Sequence, residues 1–117
     1  MRIYHNPKCS KSRMTLNILN SKTSEFEIIE YLKNPIKFEE LKLIIEQLNI
    51  KPIELVRKNE KIWKDSYEGK QLTEKEIITA MIENPKLIER PIVISNKKAI
   101  IGRPPENVLS LFNYKGI

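Results

Sequence analysis

The chain has 117 residues, enough for one compact domain around a single core and too few for several. Lysine and arginine number 21 against 15 acidic residues, a formal net charge of +6 that suits an anionic substrate or an acidic partner; the basic residues are scattered, so no dedicated nucleic-acid surface is indicated. A single cysteine excludes an internal disulfide and fits a reducing compartment, and the absence of any apolar run longer than three residues argues against a membrane span or secretory signal and for the cytoplasm.

Arg2 to Tyr4 reads as a first strand, broken by Asn6-Pro7. Met14, Ile18 and Leu19 then recur at helical spacing, predicting a helix from about Ser10 to Asn20 with Ser10 as its cap. Phe26, Ile28, Ile29 and Tyr31 suit a second strand, ended by Asn34-Pro35, and the helical crossover makes the two strands parallel. The middle of the chain is helical. Phe38, Leu41, Ile44, Ile45 and Leu48 trace an apolar stripe, with Glu39, Glu40, Lys42 and Glu46 turned to water. Pro52 starts a short helical turn carrying Leu55, Val56 and Arg57, and Ile62, Trp63 and Tyr67 suggest a small helical face used for packing.

Thr73 and Glu76 form a capping box, with Leu72 and Ile77 as its staple, for a helix that buries Ile77, Ile78, Met81 and Ile82 and ends at Asn84-Pro85. The runs Pro91-Ile92-Val93-Ile94-Ser95 and Lys98-Ala99-Ile100-Ile101 pair as a hairpin across Asn96-Lys97. Pro104-Pro105-Glu106 opens a last helix with Val108, Leu109, Leu111 and Phe112 inward. This order predicts an α/β fold of thioredoxin-like topology: a mixed four-stranded sheet with a helical insertion, about residues 36–84, between the second and third strands. No repeat or linker divides residues 1–117, so a single domain is expected.

The chemistry concentrates where the first strand hands over to the first helix. Cys9, the only cysteine, falls at the helix N-terminus, where unpaired N–H groups favour an anion. Lys8, Lys11 and Arg13 add positive charge, and His5, the only histidine, adds a donor or a further charge. A free thiol is only about 3 % ionised at pH 7, and such surroundings lower its pKa toward the thiolate. A lone cysteine also serves as a small buried hydrophobe, but the polar flanks Lys8, Ser10 and Lys11 favour a nucleophile. Ser12 is placed either to donate to that thiolate or to act as a plain polar residue of the first turn.

Three arginines stand in constrained settings. Arg57 follows Leu55-Val56, Arg90 precedes Pro91, and Arg103 lies in Gly102-Arg103-Pro104-Pro105. Arg90 and Arg103 fall at the same end of neighbouring antiparallel strands, and the guanidinium fork suits a tetrahedral oxyanion. Ser12 occupies the place of a second cysteine in Cys-x-x-Cys, so an oxidised Cys9 needs an outside thiol for release. A Cys-x5-Arg loop is absent because Thr15 stands there, His5 and Cys9 alone make no closed metal site, and no glycine-rich phosphate loop is present.

The run His5-Asn6-Pro7-Lys8-Cys9-Ser10-Lys11-Ser12-Arg13 resembles the signature of the glutaredoxin-dependent arsenate reductase family. The resemblance continues through Glu30-Tyr31-Leu32, Leu55-Val56-Arg57-Lys58, Glu83-Asn84-Pro85, Ile88-Glu89-Arg90-Pro91-Ile92 and Gly102-Arg103-Pro104-Pro105. It implies a thioredoxin-like fold, Cys9 as nucleophile, Arg57, Arg90 and Arg103 as oxyanion ligands, and His5 and Ser12 as groups that tune the thiolate. The peptide before Pro91 is similar to the cis-proline that such folds keep beside the active site. Arsenate, glutathione as co-substrate and glutaredoxin are the implied partners, with no bound cofactor or metal. Spx-type transcription regulators, which share the fold and bind RNA polymerase, are the alternative, as is a family member acting on another oxyanion or thiol substrate. Many Spx-type regulators carry the Cys-x-x-Cys that Ser12 denies here.

Overall fold

The computed structural model describes residues 1–113, and four short strands form its one sheet among them. β1 (Arg2–His5) pairs in parallel with β2 (Glu27–Glu30), Ile3 opposite Ile28, and antiparallel with β3 (Ile92–Ser95), Ile3 opposite Val93. β3 pairs antiparallel with β4 (Lys98–Ile101), Ile92 opposite Ile101. The sheet is therefore mixed and four-stranded, as the sequence pattern predicts, and its strands run in the order β2-β1-β3-β4. Asn96 opens the β3–β4 turn at φ 57°, a left-handed conformation that asparagine tolerates better than most residues.

Contacts divide the chain into two units, Met1–Asn34 with the segment from Arg90 onward, and Pro35–Glu89. The expected single domain runs to residue 117, of which 114–117 lie outside the described residues. In the first unit, α1 (Ser10–Lys22) makes the crossover from β1 to β2. Ile3, Leu19, Val93, Val108 and Leu111 form its core, with Leu16, Ile18, Ile100 and Phe112 packed around them. The described residues end with a 3-10 turn, Pro105–Leu109, and a short α5 (Ser110–Asn113), so the last helix begins more tightly wound than the sequence suggests.

Several expectations are corrected within α1 and β2. The buried face of α1 is Ser12, Thr15 and Leu19; Met14 is 45 % exposed, because it falls off the i, i+3, i+7 line of those three. Ser10 is the first helical residue rather than the cap, a place taken by Cys9 at φ −96°, ψ 123°. β2 stops at Glu30, whose carbonyl accepts the Lys33 and Asn34 N–H groups at 3.0 and 2.9 Å; that turn removes Tyr31 from the ladder.

The second unit is helical: α2 (Phe38–Leu48), α3 (Lys61–Ser66) and α4 (Glu74–Glu83), with 3-10 turns at Pro52–Leu55 and Pro85–Leu87. α2 buries Leu41, Ile44 and Ile45, leaving Phe38 and Leu48 half-buried. The capping box of α4 forms in both directions, Thr73 N–H to Glu76 Oε1 at 2.8 Å and Glu76 N–H to Thr73 Oγ1 at 3.1 Å. Its inner face is Ile77, Ile78, Ala80 and Met81; Ile82 is only half-buried. Trp63 is buried and stacked on Tyr67, ring centroids 5.4 Å apart, whereas Ile62 is exposed. Val56 leaves the helical turn to bridge Ile88, with Arg57 N–H on Leu87 O and Glu89 N–H on Leu55 O.

The two apolar residues that the helical spacing treated alike should separate on mutation. Leu19→Ala, at a wholly buried core position, is expected to cost about 2–5 kcal/mol in urea unfolding. Met14→Ala, at an exposed one, should stay within about 0.5 kcal/mol of wild type.

Candidate functional site

The loop before α1 is closed by its own polar groups. Asn6 O accepts the Cys9 N–H at 3.0 Å, Asn6 Oδ1 accepts the Lys8 N–H at 3.0 Å, and the Asn6 N–H donates to Ser12 Oγ at 3.0 Å. Arg13 Nη1 donates to Pro7 O at 2.9 Å, which fastens the one residue of the loop that has no N–H to give. Cys9 O accepts the Arg13 N–H at 3.0 Å, the first helical bond, so Cys9 is the residue from which the helix starts. Its side chain shares that end with N–H groups that have no partner one turn back.

Arg103 Nη2 donates to Cys9 Sγ at 3.3 Å, and Arg103 Nε donates to Arg90 O at 2.7 Å, which holds the guanidinium in place. Cys9 is half-buried, and burial by itself pushes its thiol pKa up. The Ser12 N–H facing the sulfur, a hydrogen bond from the Arg90 side chain and the charges of Arg103 and Arg90 outweigh that cost. The net result is a thiol held below its ordinary value, toward the thiolate. The Ser12 contact is electrostatic rather than a well-formed N-cap hydrogen bond, since Cys9 makes no side-chain cap.

His5 is buried on β1, and its Nδ1 lies 2.6 Å from Ser12 Oγ. Burial pushes the imidazole pKa down, Glu30 opposes that, and Arg13 adds to it; the balance is downward. His5 is therefore neutral at pH 7, and one end of the Nδ1–Oγ pair supplies the proton while the other accepts it. Ser12 Oγ, already accepting from Asn6, joins the imidazole to the loop that carries Cys9.

The structure brings Cys9, Ser12, His5, Arg90 and Arg103 together. The register explains the arginines: Ile92 faces Ile101, so the residues before β3 and after β4 emerge at one end of the sheet. The Arg90–Pro91 and Arg103–Pro104 peptide bonds are both cis. Arg57 belongs to the second unit, where its Nε lies 3.8 Å from carboxylate oxygens of both Glu60 and Glu89. Its Nη1 is buried with no hydrogen-bond partner among the described residues.

The nearby cations that the sequence emphasised are not the ones acting on the sulfur. Lys8 and Lys11 are exposed, and the charges that lower the Cys9 thiol are Arg90 and Arg103, more than eighty residues away in the chain. Sequence reasoning also missed Asn6, Thr15 and Gly102. Thr15 entered only as the residue that spoils a Cys-x5-Arg loop, and Gly102 only as a neighbour of Arg103. Among the described residues, no group of three or more His, Cys, Asp or Glu side chains could hold a metal ion, and no helix is long and apolar enough to cross a membrane.

The fold and site define a thioredoxin-like protein with one cysteine at the start of its first helix. The ArsC family model matches residues 4–111, and the chain belongs to that family. It is 45 % identical to the protein YfgD of Escherichia coli K12, over 95 % of each chain. It is 41 % identical to an arsenate reductase of Haemophilus influenzae, over 93 % of this chain and 96 % of the other. An arsenate reductase structure from Vibrio cholerae superposes with a TM-score of 0.89 at 45 % identity, covering 94 % of this chain and 97 % of that one.

Two titrations check these electrostatics. The pH profile of Cys9 alkylation should have its midpoint below the ordinary thiol value of about 8.5, and Arg103→Ala should move it upward. The His5 ring signals in NMR should titrate below about 6.5. Since the folded imidazole resists protonation, stability contributed by neutral His5 is fully present above that value. It declines as the pH falls from there toward the folded pKa, because only the unfolded chain takes up the proton.

Proposed function

We propose that this protein is a glutathione- and glutaredoxin-dependent arsenate reductase in which Cys9 is the nucleophile. The reading rests on one observation above all: a half-buried sulfur at a helix N-terminus with Arg103 Nη2 at 3.3 Å and Arg90 donating to it. Guanidiniums that stabilise a thiolate also present forked donors to a tetraoxo anion, and the N–H groups at the start of α1 add more. The names of the Haemophilus and Vibrio relatives support arsenate as that anion.

In this reaction the Cys9 thiolate attacks arsenic, an S–As bond forms, and an As–O bond breaks. The oxygen leaves as hydroxide and takes a proton to become water. A glutathione thiolate then attacks Sγ. The S–S bond forms, the S–As pair passes to arsenic, and arsenic(V) becomes arsenic(III), released as arsenite after protonation. The two electrons come from the two thiols, now joined as a mixed disulfide on Cys9. Glutaredoxin attacks that disulfide on the glutathione side and returns Cys9 as thiolate. An outside thiol is required because Ser12 stands where a resolving cysteine would. Neutral His5 and the Ser12 hydroxyl hold the loop in place and tune the sulfur through it.

The coupled assay of arsenate reduction with glutathione and glutaredoxin tests the proposal. Wild type should turn over, Cys9→Ser should lose activity entirely, and Arg90→Ala and Arg103→Ala should each lose at least about 10²-fold in kcat/KM. Arg57→Ala tests separately the role that the resemblance assigns to Arg57. A wild-type protein with its thiol ionised but no turnover would overturn arsenate as the substrate.

A further inference from the structure

Thr15 and Gly102 take no part in the chemistry above, yet they meet at a close contact. Thr15 is wholly buried on α1, and its Oγ1 donates to Lys11 O at 2.9 Å and lies 3.3 Å from Gly102 O. The Gly102 N–H donates to Pro91 O at 2.9 Å. A Cβ on Gly102 would lie 2.6 Å from Thr15 Oγ1, 2.9 Å from Pro91 Cγ and 3.0 Å from Thr15 Cγ2. Those distances are below ordinary van der Waals contact, so glycine is needed there for the closeness of approach.

We infer that Thr15 and Gly102 are positioning residues: their contact sets the separation between the Arg103 guanidinium and the Cys9 sulfur. The inference rests on the reading of Cys9 as the reactive thiolate. Cys9 and Thr15 ride on the same helix start, and Gly102 directly precedes Arg103. Pressing α1 onto Gly102 therefore presses the sulfur toward the guanidinium. The remaining ties of the loop leave Arg103 little freedom to adjust. Its Nε is held by Arg90 O at 2.7 Å, and its carbonyl by Asn107 Nδ2 at 3.0 Å. Added bulk at Gly102 is relieved by lifting the loop away from α1, by turning Thr15 or by shifting the Pro91 ring. The tightest contact, with Thr15 Oγ1, favours lifting the loop, which lengthens the 3.3 Å contact with Sγ. Hydrogen bonds weaken steeply with such displacement, and the charge interaction falls with distance.

The test reads the sulfur directly, by the pH profile of iodoacetamide alkylation, with unfolding monitored in parallel. Gly102→Ala should raise the Cys9 midpoint so that alkylation well below it slows about tenfold. In an Arg103→Ala background the same substitution should add nothing, because the residue it acts through is gone. Thr15→Val keeps the volume and removes the hydroxyl; it should shift the midpoint in the same direction by less, and again only when Arg103 is present. If Gly102→Ala does not fold, the Thr15→Val cycle with Arg103→Ala decides. An unchanged midpoint in the folded variants, or a shift that persists without Arg103, overturns the inference, since a merely structural role lowers stability without passing through the guanidinium. Arsenate is not used in this measurement. Turnover without the coupling defeats the positioning role alone, and the coupling without turnover defeats the proposed reaction alone.

Discussion

Easing the ionisation of the half-buried Cys9 thiol is the constraint on which the arrangement of the first unit turns. Two unit charges about 4 Å apart are worth about 1 kcal/mol in bulk water and about 4 kcal/mol at the effective dielectric near a protein surface. Half-burial therefore makes the arginines count, and the same burial opposes ionisation of the thiol. The sign is settled by Arg90, Arg103 and the Ser12 N–H acting together. The antiparallel register of β3 and β4 puts both guanidiniums on the sulfur's side of the problem, and β1 leads directly into the loop that delivers Cys9 to the helix start.

Much of this was legible in the residues. Asn6-Pro7 and Asn96-Lys97 marked the breaks, the Thr73–Glu76 capping box marked a helix start, and the order of elements gave the mixed sheet. The hairpin pattern alone sets Arg90 and Arg103 at one end of neighbouring strands, where the register has them. What failed has a common physical origin, because periodicity counts apolar residues. The inward face of α1 begins with Ser12 and Thr15, so Met14 looked like a core residue and was not. Nearness in sequence is also a poor guide to the charges that act on Cys9. The lysines beside Cys9 are exposed to water, whereas the arginines distant in the chain are half-buried, and Arg103 is held by Arg90 O.

The absent second cysteine has a structural side as well as a redox one. Ser12 Oγ accepts from Asn6 and meets His5 Nδ1 at 2.6 Å, so the position is occupied by a hydroxyl with two partners. A thiol there would be larger and a weaker hydrogen-bonding group. The loop would then lose the fastening that fixes its shape ahead of Cys9. In the proposed reaction, the need for an external thiol and the fastening of the loop ahead of Cys9 both follow from the same residue.

One outer strand of the sheet, β2, carries charged side chains at both of its ends. Among the described residues β2 has only β1 beside it, and it reads Glu27-Ile28-Ile29-Glu30, with Ile28 exposed. A second molecule laying its β2 antiparallel along that margin, centred on the isoleucines, would set each Glu27 across from a Glu30. Like charges directly opposed disfavour such pairing. Each glutamate is already paired with a cation, Glu27 with Arg2 and Glu30 with Lys33, so the border is charged at both ends and apolar only across Ile28 and Ile29.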